Sequence, residues 1–402
     1  MSGDGEAAGV PAVARVGEAP LQASGKKNKL GKKERGRLKA ILDGSYVEPV
    51  LPVKAPAKAK QARQPYNGGM APSLLTKYIK ESWTTGALLQ TCEQYHERMN
   101  KIHASASWNM LGRLAASSGA DTEWFDTDRV ALETLARKTT ELVTLSAEDV
   151  LVDDDVSGNT NDPRMGAREL ANVIHGLAKS GCVRVAEDSE EDLKDRKTSE
   201  IKTSDAAATP LLSLITACAL AITKRGLECN AQECANAVWG FVKVGHVSDC
   251  DLFKVLAAAA TREANFGNMN PQEMVNTGWA FSRVCNSTTD DDSFTRSVAS
   301  CIDAIAGAST KRLPEFDARG LCNLTCALAK SFTGEKSSNS GSQNSGTVTA
   351  ALTAIATETT QRVSASKHDI FATENDVNKF SARDVALSSW AFATLVSAFP
   401  VY

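Results

Sequence analysis

Apolar residues recur three and four positions apart over most of the chain from Leu74 onward. The segments 88–103, 131–143 and 211–222 show this spacing clearly, and strand-like alternation of apolar and polar residues is nearly absent. Spacing of this kind places apolar side chains on one face of a helix. The pattern therefore predicts an all-α domain over residues 74–402.

Five stretches of this domain superimpose without gaps. They read ARELANVIHGLAKSG from position 167, AQECANAVWGFVKVG from 231, PQEMVNTGWAFSRVC from 271, ARGLCNLTCALAKSF from 318 and ARDVALSSWAFATLV from 382, and a weaker sixth, IHASASWNMLGRLAA, begins at Ile102. We call these predicted helices A, and the predicted helices between them B. Because a single helix pair cannot bury its own apolar face, the pattern predicts an α-solenoid of about six helix-turn-helix repeats.

The spacing of the stretches indicates a period near 40 with insertions. Aligned on their sixth position, the five clear stretches lie 64, 40, 47 and 64 residues apart. The two long steps contain polar segments, and we place insertions at about 183–206, 333–346 and 364–380. The N-terminal residues 1–70 are rich in Gly, Ala, Pro and Lys, which predicts a disordered basic tail.

Several aligned columns have the spacing of a packing face. The fourth and fifth columns are apolar, and we group with them the ninth, which holds His175, Trp239, Trp279, Cys326 and Trp390. The alternative for the Trp residues is stacking on RNA bases. The tenth column is small, with Gly176 and Gly240 first, so it should let a neighbouring helix approach closely.

Two polar columns each admit a structural and a functional interpretation. The sixth holds Asn172, Asn236, Asn276 and Asn323, which either form a hydrogen-bond ladder between neighbouring helices or present amides that read base edges. The thirteenth holds Lys179, Lys243, Arg283 and Lys330, and Arg113 lies at the corresponding end of the weak stretch, one position earlier. These cations either complement the helix dipoles or form a basic edge for phosphates.

Charge is unevenly distributed along the chain. Residues 1–66 carry 13 Lys or Arg against 6 Asp or Glu, or +7, which leaves −10 on the remainder because the whole chain carries −3. The basic run from Lys26 to Leu42 is either a solvated tail, a nuclear-import signal or an electrostatic arm for RNA. Because the remainder is acidic, a nucleic-acid site on it must be a local stripe of Lys and Arg side chains.

One pattern recurs in the A stretches: an acidic residue or Gln, an apolar residue, Asn, then Trp-Ala-Phe and a cation. It resembles octotricopeptide repeats and the helical regions of FAST-kinase-like, RAP-domain proteins. It is seen at Glu233–Lys243, Glu273–Arg283 and Gly320–Lys330, and the resemblance covers about residues 85–398. The Pro-rich helix B signature of that family and the RAP domain itself are missing here. The resemblance implies sequence-selective binding of single-stranded RNA in organellar RNA stability, processing or translation.

The resemblance also implies where RNA would bind. It places among the candidate base contacts the helix A columns from the second to the sixth, to which we add the end-of-helix cations. The candidate RNA-binding residues are Arg168, Asn172, Lys179, Gln232, Asn236, Lys243, Gln272, Asn276, Arg283, Arg319, Asn323, Lys330 and Arg383. The alternative function is a protein-interaction scaffold of the HEAT or armadillo type without RNA binding.

Enzymatic and metal chemistry lack a pattern in the sequence. No Walker-type loop or Gly-x-Ser-x-Gly occurs, and the five His residues show no nucleophile or metal spacing. The ten Cys residues form no Cys-x-x-Cys pair. Most of them, such as Cys218, Cys301 and Cys322, lie in apolar helical segments and fit buried positions. We therefore expect no enzyme, no cofactor, no metal and no small-molecule substrate.

The ends of the chain bear on compartment and partners. No run of 18 apolar residues predicts a membrane span, and acids at Asp4 and Glu6 do not suit a transit sequence. The resemblance indicates a mitochondrion or plastid, whereas this N-terminus favours nucleus or cytoplasm. The chain stops after a helix A, so we expect an uncapped end at Phe392 and Leu395 that a protein partner covers, or a fragment of a longer protein.

Overall fold

The computed structural model describes residues 71–117, 123–148, 164–183, 208–285, 291–332, 345–366 and 379–398. Within these ranges the chain is all-α, as predicted, with 15 α-helices that pack against one another and no strand. The predicted N-terminal tail and most of the three predicted insertions lie outside the described residues.

The helices are α1 (Pro72–Lys80), α2 (Thr85–Tyr95), α3 (Lys101–Ser117), α4 (Glu123–Thr127), α5 (Arg129–Glu148), α6 (Ala167–Ser180), α7 (Ala208–Arg225), α8 (Ala231–Lys243), α9 (Cys250–Thr261), α10 (Glu263–Phe266), α11 (Pro271–Val284), α12 (Asp292–Thr310), α13 (Ala318–Phe332), α14 (Ser345–Ser366) and α15 (Ala382–Ala398). The superimposed stretches form the A helices α3, α6, α8, α11, α13 and α15. The B helices are α5, α7, α9, α12 and α14.

The A helices begin at a recurring capping motif. In α8 the Asn230 side chain accepts from the backbone N–H of Glu233 at 3.0 Å, and the Glu233 carboxylate accepts from the N–H of Asn230 at 2.9 Å. Asn270 and Glu273 make the same reciprocal pair at the start of α11. The motif satisfies backbone donors that have no partner within the helix, and it fixes where each helix starts.

The first A helix starts one residue earlier than the sequence alignment indicates. The Asn100 side chain accepts from the N–H groups of Ile102 and His103, so α3 begins at Lys101 and the predicted helix over 88–103 is interrupted before Asn100. With this register Arg113 falls in the thirteenth column, where α6, α8, α11 and α13 carry their cations.

Helices of the same kind contact each other in chain order. Successive A helices pack together from α3 to α15, and successive B helices pack together from α5 to α14. Each A helix up to α13 also contacts the B helix that follows it. The helices α1 and α2 extend the two series, since α1 packs on α3 and α2 on α5.

The core lies at these helix contacts and includes the predicted close approach. Phe241 and Phe281, in the eleventh column, are completely buried. A Cβ atom on Gly176 would overlap the backbone carbonyl of Trp108 in α3, and one on Gly240 would lie 3.0 Å from the carbonyl carbon of Ile174 in α6. The small tenth column therefore sets how closely these A helices pack.

An arginine ties the end of each later B helix to the start of its A helix. Its guanidinium donates to the backbone carbonyl of the residue just before the helix A N-cap, and that residue is buried each time. The four pairs are Arg225 with Met165 at 3.2 Å, Arg262 with Cys229 at 2.6 Å, Arg312 with Met269 at 2.6 Å and Arg362 with Phe316 at 2.7 Å. Four successive helix pairs thus share one contact that their A helix patterns do not reveal.

Candidate nucleic-acid interface

Four columns of the A helices fall on one helix face. The second, sixth, ninth and thirteenth positions are spaced by four, three and four residues, so their side chains lie along a single line of the helix surface. All of them are exposed or half-buried in α6, α8, α11, α13 and α15. We call this surface, formed by the four columns in these five helices, the A-helix strip.

The strip contains all of the candidate RNA-binding residues. The second-column side chains are exposed in all five helices, and the Asn side chains are half-buried. Among the cations, Lys179, Lys243 and Arg283 are exposed and Lys330 is half-buried. The columns therefore share one surface of the molecule.

The ninth column lies at the edge of the packing face with which we grouped it. Trp239, Trp279 and Trp390 are half-buried, and Trp279 packs against the core while it also forms part of the strip. The buried positions beside it are the seventh and eighth, as in Ala237 and Val238, because the A helix is rotated so that these face its neighbours. Periodicity alone could not fix that rotation.

Of the two alternatives for the Asn column, the hydrogen-bond ladder between neighbouring helices is not found among the described residues. Within the part of the chain that the structure describes, the amides of Asn172, Asn236 and Asn323 make no hydrogen bond, and none of their polar atoms is fully buried. Asn276 accepts a 2.8 Å bond from the exposed Gln272 of its own helix. The amides therefore remain available to a ligand rather than joining neighbouring helices.

Aromatic rings and cations meet where adjacent A helices touch. The rings of His175 in α6 and Trp239 in α8 have centroids 5.1 Å apart at an angle of 48°. The Lys243 ammonium of α8 lies 5.6 Å from the centre of the Trp279 ring in α11, and the Arg283 guanidinium lies 4.6 Å from it. Lys330 of α13 lies 5.5 Å from the Trp390 ring in α15.

The strip carries positive charge without acidic residues. Its twenty positions include seven Lys or Arg and no Asp or Glu. The acids closest in sequence, such as Glu169 and Glu233, sit at the helix N-termini, where they accept from the N-cap N–H groups. Burial, followed by the charge of Lys179, lowers the pKa of His175 below its ordinary value, so this ring is neutral near pH 7.

The first A helix, α3, and the last, α15, lack the polar residues that the middle helices carry at some of these positions. In α3 the corresponding second and sixth positions are Ile102 and Ala106, and Ile102 is 51% exposed. In α15 the sixth position is Leu387, and Val385 of the apolar fourth column is 44% exposed. The combination of Asn, ring and cation is therefore concentrated in the middle of the series.

Other reactive groups have structural surroundings. All ten cysteines are free thiols, and burial raises the pKa of Cys218 and Cys301 to about 12. Asp291 caps α12 and pairs with Lys254 at 3.1 Å. No group of three or more His, Cys, Asp or Glu placed to hold a metal ion occurs among the described residues.

Among the described helices, none has the length and apolar character needed to cross a membrane. In comparisons with known proteins, the chain matches no family model and no curated protein significantly. The proposal of a function therefore rests on the chemistry of the A-helix strip.

Proposed function

We propose that this chain is an α-solenoid that binds single-stranded RNA along the A-helix strip and performs no catalysis itself. The contacts within the A series, within the B series and between A and B partners are those expected when repeats stack in one direction. The period near 40 then corresponds to one helix pair, with the insertions lying between pairs. RNA would cross successive A helices.

The observation that supports this proposal is the charge of the strip. Its seven cations with no carboxylate stand against a net charge of −10 on residues 67–402, so cations are concentrated on this face rather than spread evenly. Arg168, Lys179 and Arg319 form no ion pair with any described residue. Such cations can neutralise phosphates without first breaking an internal contact.

The uncharged positions of the strip favour a single strand over a duplex. The free amides of Asn172, Asn236 and Asn323 can donate to and accept from base edges, and the half-buried Trp239 ring offers a surface for stacking. In a duplex the bases stack on each other and their pairing edges are occupied. A mixture of cations, amides and rings suits a strand whose bases are splayed out.

The experiment that tests the proposal compares two faces of the same molecule. Lys243, Arg283 and Lys330 are changed together to Gln, and the control carries the same change at Lys224, Arg296 and Lys311, which are exposed at or beside B helices. Binding of a short, unstructured, dye-labelled RNA is followed by fluorescence anisotropy over a series of salt concentrations. Both variants lose the same net charge.

We expect the strip variant to bind weakly and to show a salt slope smaller by about 2, at about 0.7 per phosphate contact on a single strand. The control should keep nearly all of the affinity and slope of the wild-type protein. Equal loss of affinity in both variants would mean that RNA binding depends on the net charge of the protein and not on the strip. The absence of RNA binding by the wild-type protein would favour the scaffold alternative.

The biological setting that we propose is an organelle, mitochondrion or plastid, where such a protein would act in RNA stability, processing or translation. This part is supported by the resemblance to octotricopeptide repeats alone. Crosslinking of the protein to RNA in cells by ultraviolet light, with sequencing of the attached RNA, would identify both the transcript and its compartment.

A further inference from the structure

The rings of the ninth column have two different surroundings. Trp239 faces another ring, His175, whereas Trp279 and Trp390 each face a lysine from the preceding A helix. We propose that Trp279 and Trp390 are positioning residues that hold Lys243 and Lys330 for contact with RNA phosphates, and that Trp239 contacts a base. This inference rests on the proposed function and deepens it.

The same contact occurs at two helix junctions. Lys243 leaves the end of α8 and lies over the ring of α11, and Lys330 leaves the end of α13 and lies over the ring of α15, at 5.6 and 5.5 Å from the ring centres. In both cases the thirteenth residue of one A helix meets the ninth residue of the next. The contact therefore belongs to the junction between helices and not to one helix alone.

An aromatic ring can fix a lysine side chain that would otherwise be mobile. A lysine carries four rotatable bonds, and much of that freedom is lost when its ammonium binds a phosphate. A ring that attracts the ammonium through its π face removes part of this freedom beforehand. The affinity for phosphate rises because less conformational freedom is lost on binding.

The cations also limit what these rings can do. Lys243 and the guanidinium of Arg283, at 4.6 Å, both lie over the Trp279 ring, so an RNA base would have to displace one of them in order to stack on the side that it occupies. Trp239 carries no such lysine contact among the described residues. Its neighbour His175 is an uncharged ring near pH 7, and two adjacent rings form a surface suited to a base.

The two roles differ in their dependence on salt, because phosphate contacts release counterions and base stacking does not. The test measures the affinity and salt slope of the full chain for a short, unstructured, dye-labelled RNA. The variants are Trp279→Leu, Trp279→Phe, Lys243→Gln and the double variant Lys243→Gln with Trp279→Leu. Trp239→Leu serves as the matched control, and thermal unfolding is recorded for every variant.

We expect Trp279→Leu to weaken binding about two- to fivefold, the range of an exposed cation–π contact, and to lower the salt slope by up to about 0.7. Trp279→Phe, which keeps a ring, should recover most of both. In the Trp279→Leu background, Lys243→Gln should have much less effect than in the wild-type protein. Trp239→Leu should weaken binding while leaving the salt slope unchanged.

The inference is overturned if Trp279→Leu and Trp239→Leu change the salt slope equally, or if Lys243→Gln has the same effect in both backgrounds. Should Trp279→Leu fail to fold, the same comparison is made at the other junction with Trp390→Leu and Lys330→Gln, where an equal effect of Lys330→Gln with and without the ring contradicts a ring-held lysine. A wild-type protein that binds no RNA refutes the proposed function itself, whereas RNA binding without the Trp279 effects refutes only this inference.

Discussion

Gly176 provides the sharpest test of the packing, because it marks a backbone-to-backbone contact between α3 and α6. A Cβ atom at this position would overlap the carbonyl of Trp108 and lie 2.8 Å from the backbone nitrogen of Asn109. Main-chain atoms cannot rotate away as a flexible side chain can. The change Gly176→Ala therefore has to push the two helices apart.

The expected cost follows from two opposing effects. Restoring ordinary contact distances requires a separation of about 1 Å, and overpacking of this kind costs about 1–3 kcal/mol, in the upper part of the range where backbone must move. The alanine also gains up to about 1 kcal/mol in helix propensity over glycine. We expect Gly176→Ala to lower the free energy of unfolding by about 2 kcal/mol.

A second glycine in another A helix supplies the control. A Cβ atom on Gly278 would lie 3.6 Å from the Ile305 side chain and 3.8 Å from that of Leu324, which are ordinary contacts. Gly278→Ala should therefore keep the gain in propensity and stabilise the protein by up to about 1 kcal/mol. Urea unfolding followed by helical circular dichroism measures both variants, and a shift of both in the same direction would refute the packing argument.

Two further predictions concern the interactions that join the helices. Arg312→Met should lower the free energy of unfolding by about 2 kcal/mol, the scale of a hydrogen bond from a charged group, because the carbonyl of Met269 loses its donor; Arg296→Met should change little in the same urea assay. His175 has a pKa below its unfolded value, so the unfolded chain binds the extra proton and stability is lost as the pH falls below about 6.5. His175→Gln should therefore lose less in melting temperature between pH 7.5 and pH 5.5 than the wild-type protein, and an equal loss in both would contradict this assignment.

The helical content and the packing columns of the fold could be predicted from the sequence. The small tenth column illustrates why. Gly176 and Gly240 lie beside apolar columns, and a residue without a side chain lets a neighbouring helix approach closely. The side on which the Trp column lies could not be predicted, because residues at the edge of an apolar face differ from core residues only by the rotation of the helix. That rotation is set by neighbours on both sides.

The contacts of the B helix arginines were missed for a different reason. The repeated pattern belongs to the A helices, whereas Arg225, Arg262, Arg312 and Arg362 lie at the other end of each helix pair. A signal was present, since each follows a threonine by one or two residues near the end of its helix. The partner is a backbone carbonyl 33 to 60 residues earlier, which no residue pattern identifies.

The Asn column offers a prediction in which stability and binding move in opposite directions. A mid-helix Asn is less favourable than Ala by about 0.5 kcal/mol in propensity, and a hydrogen-bond ladder would have compensated for that cost. Asn236 makes no such bond among the described residues, so Asn236→Ala should stabilise the protein by about 0.5 kcal/mol in urea unfolding.

The same variant should bind the dye-labelled RNA more weakly, with an unchanged salt slope, because an uncharged amide can read base edges but neutralises no phosphate charge. Thr277→Ala, at a buried helical position whose hydroxyl already bonds to the carbonyl of Glu273 at 2.7 Å, is the contrasting change and should leave RNA binding intact. If Asn236→Ala destabilises the protein and spares binding, the column has a structural role. If it stabilises the protein and weakens binding, the recurrence of a half-buried Asn that lowers helix stability in four helices is explained by a ligand that needs it.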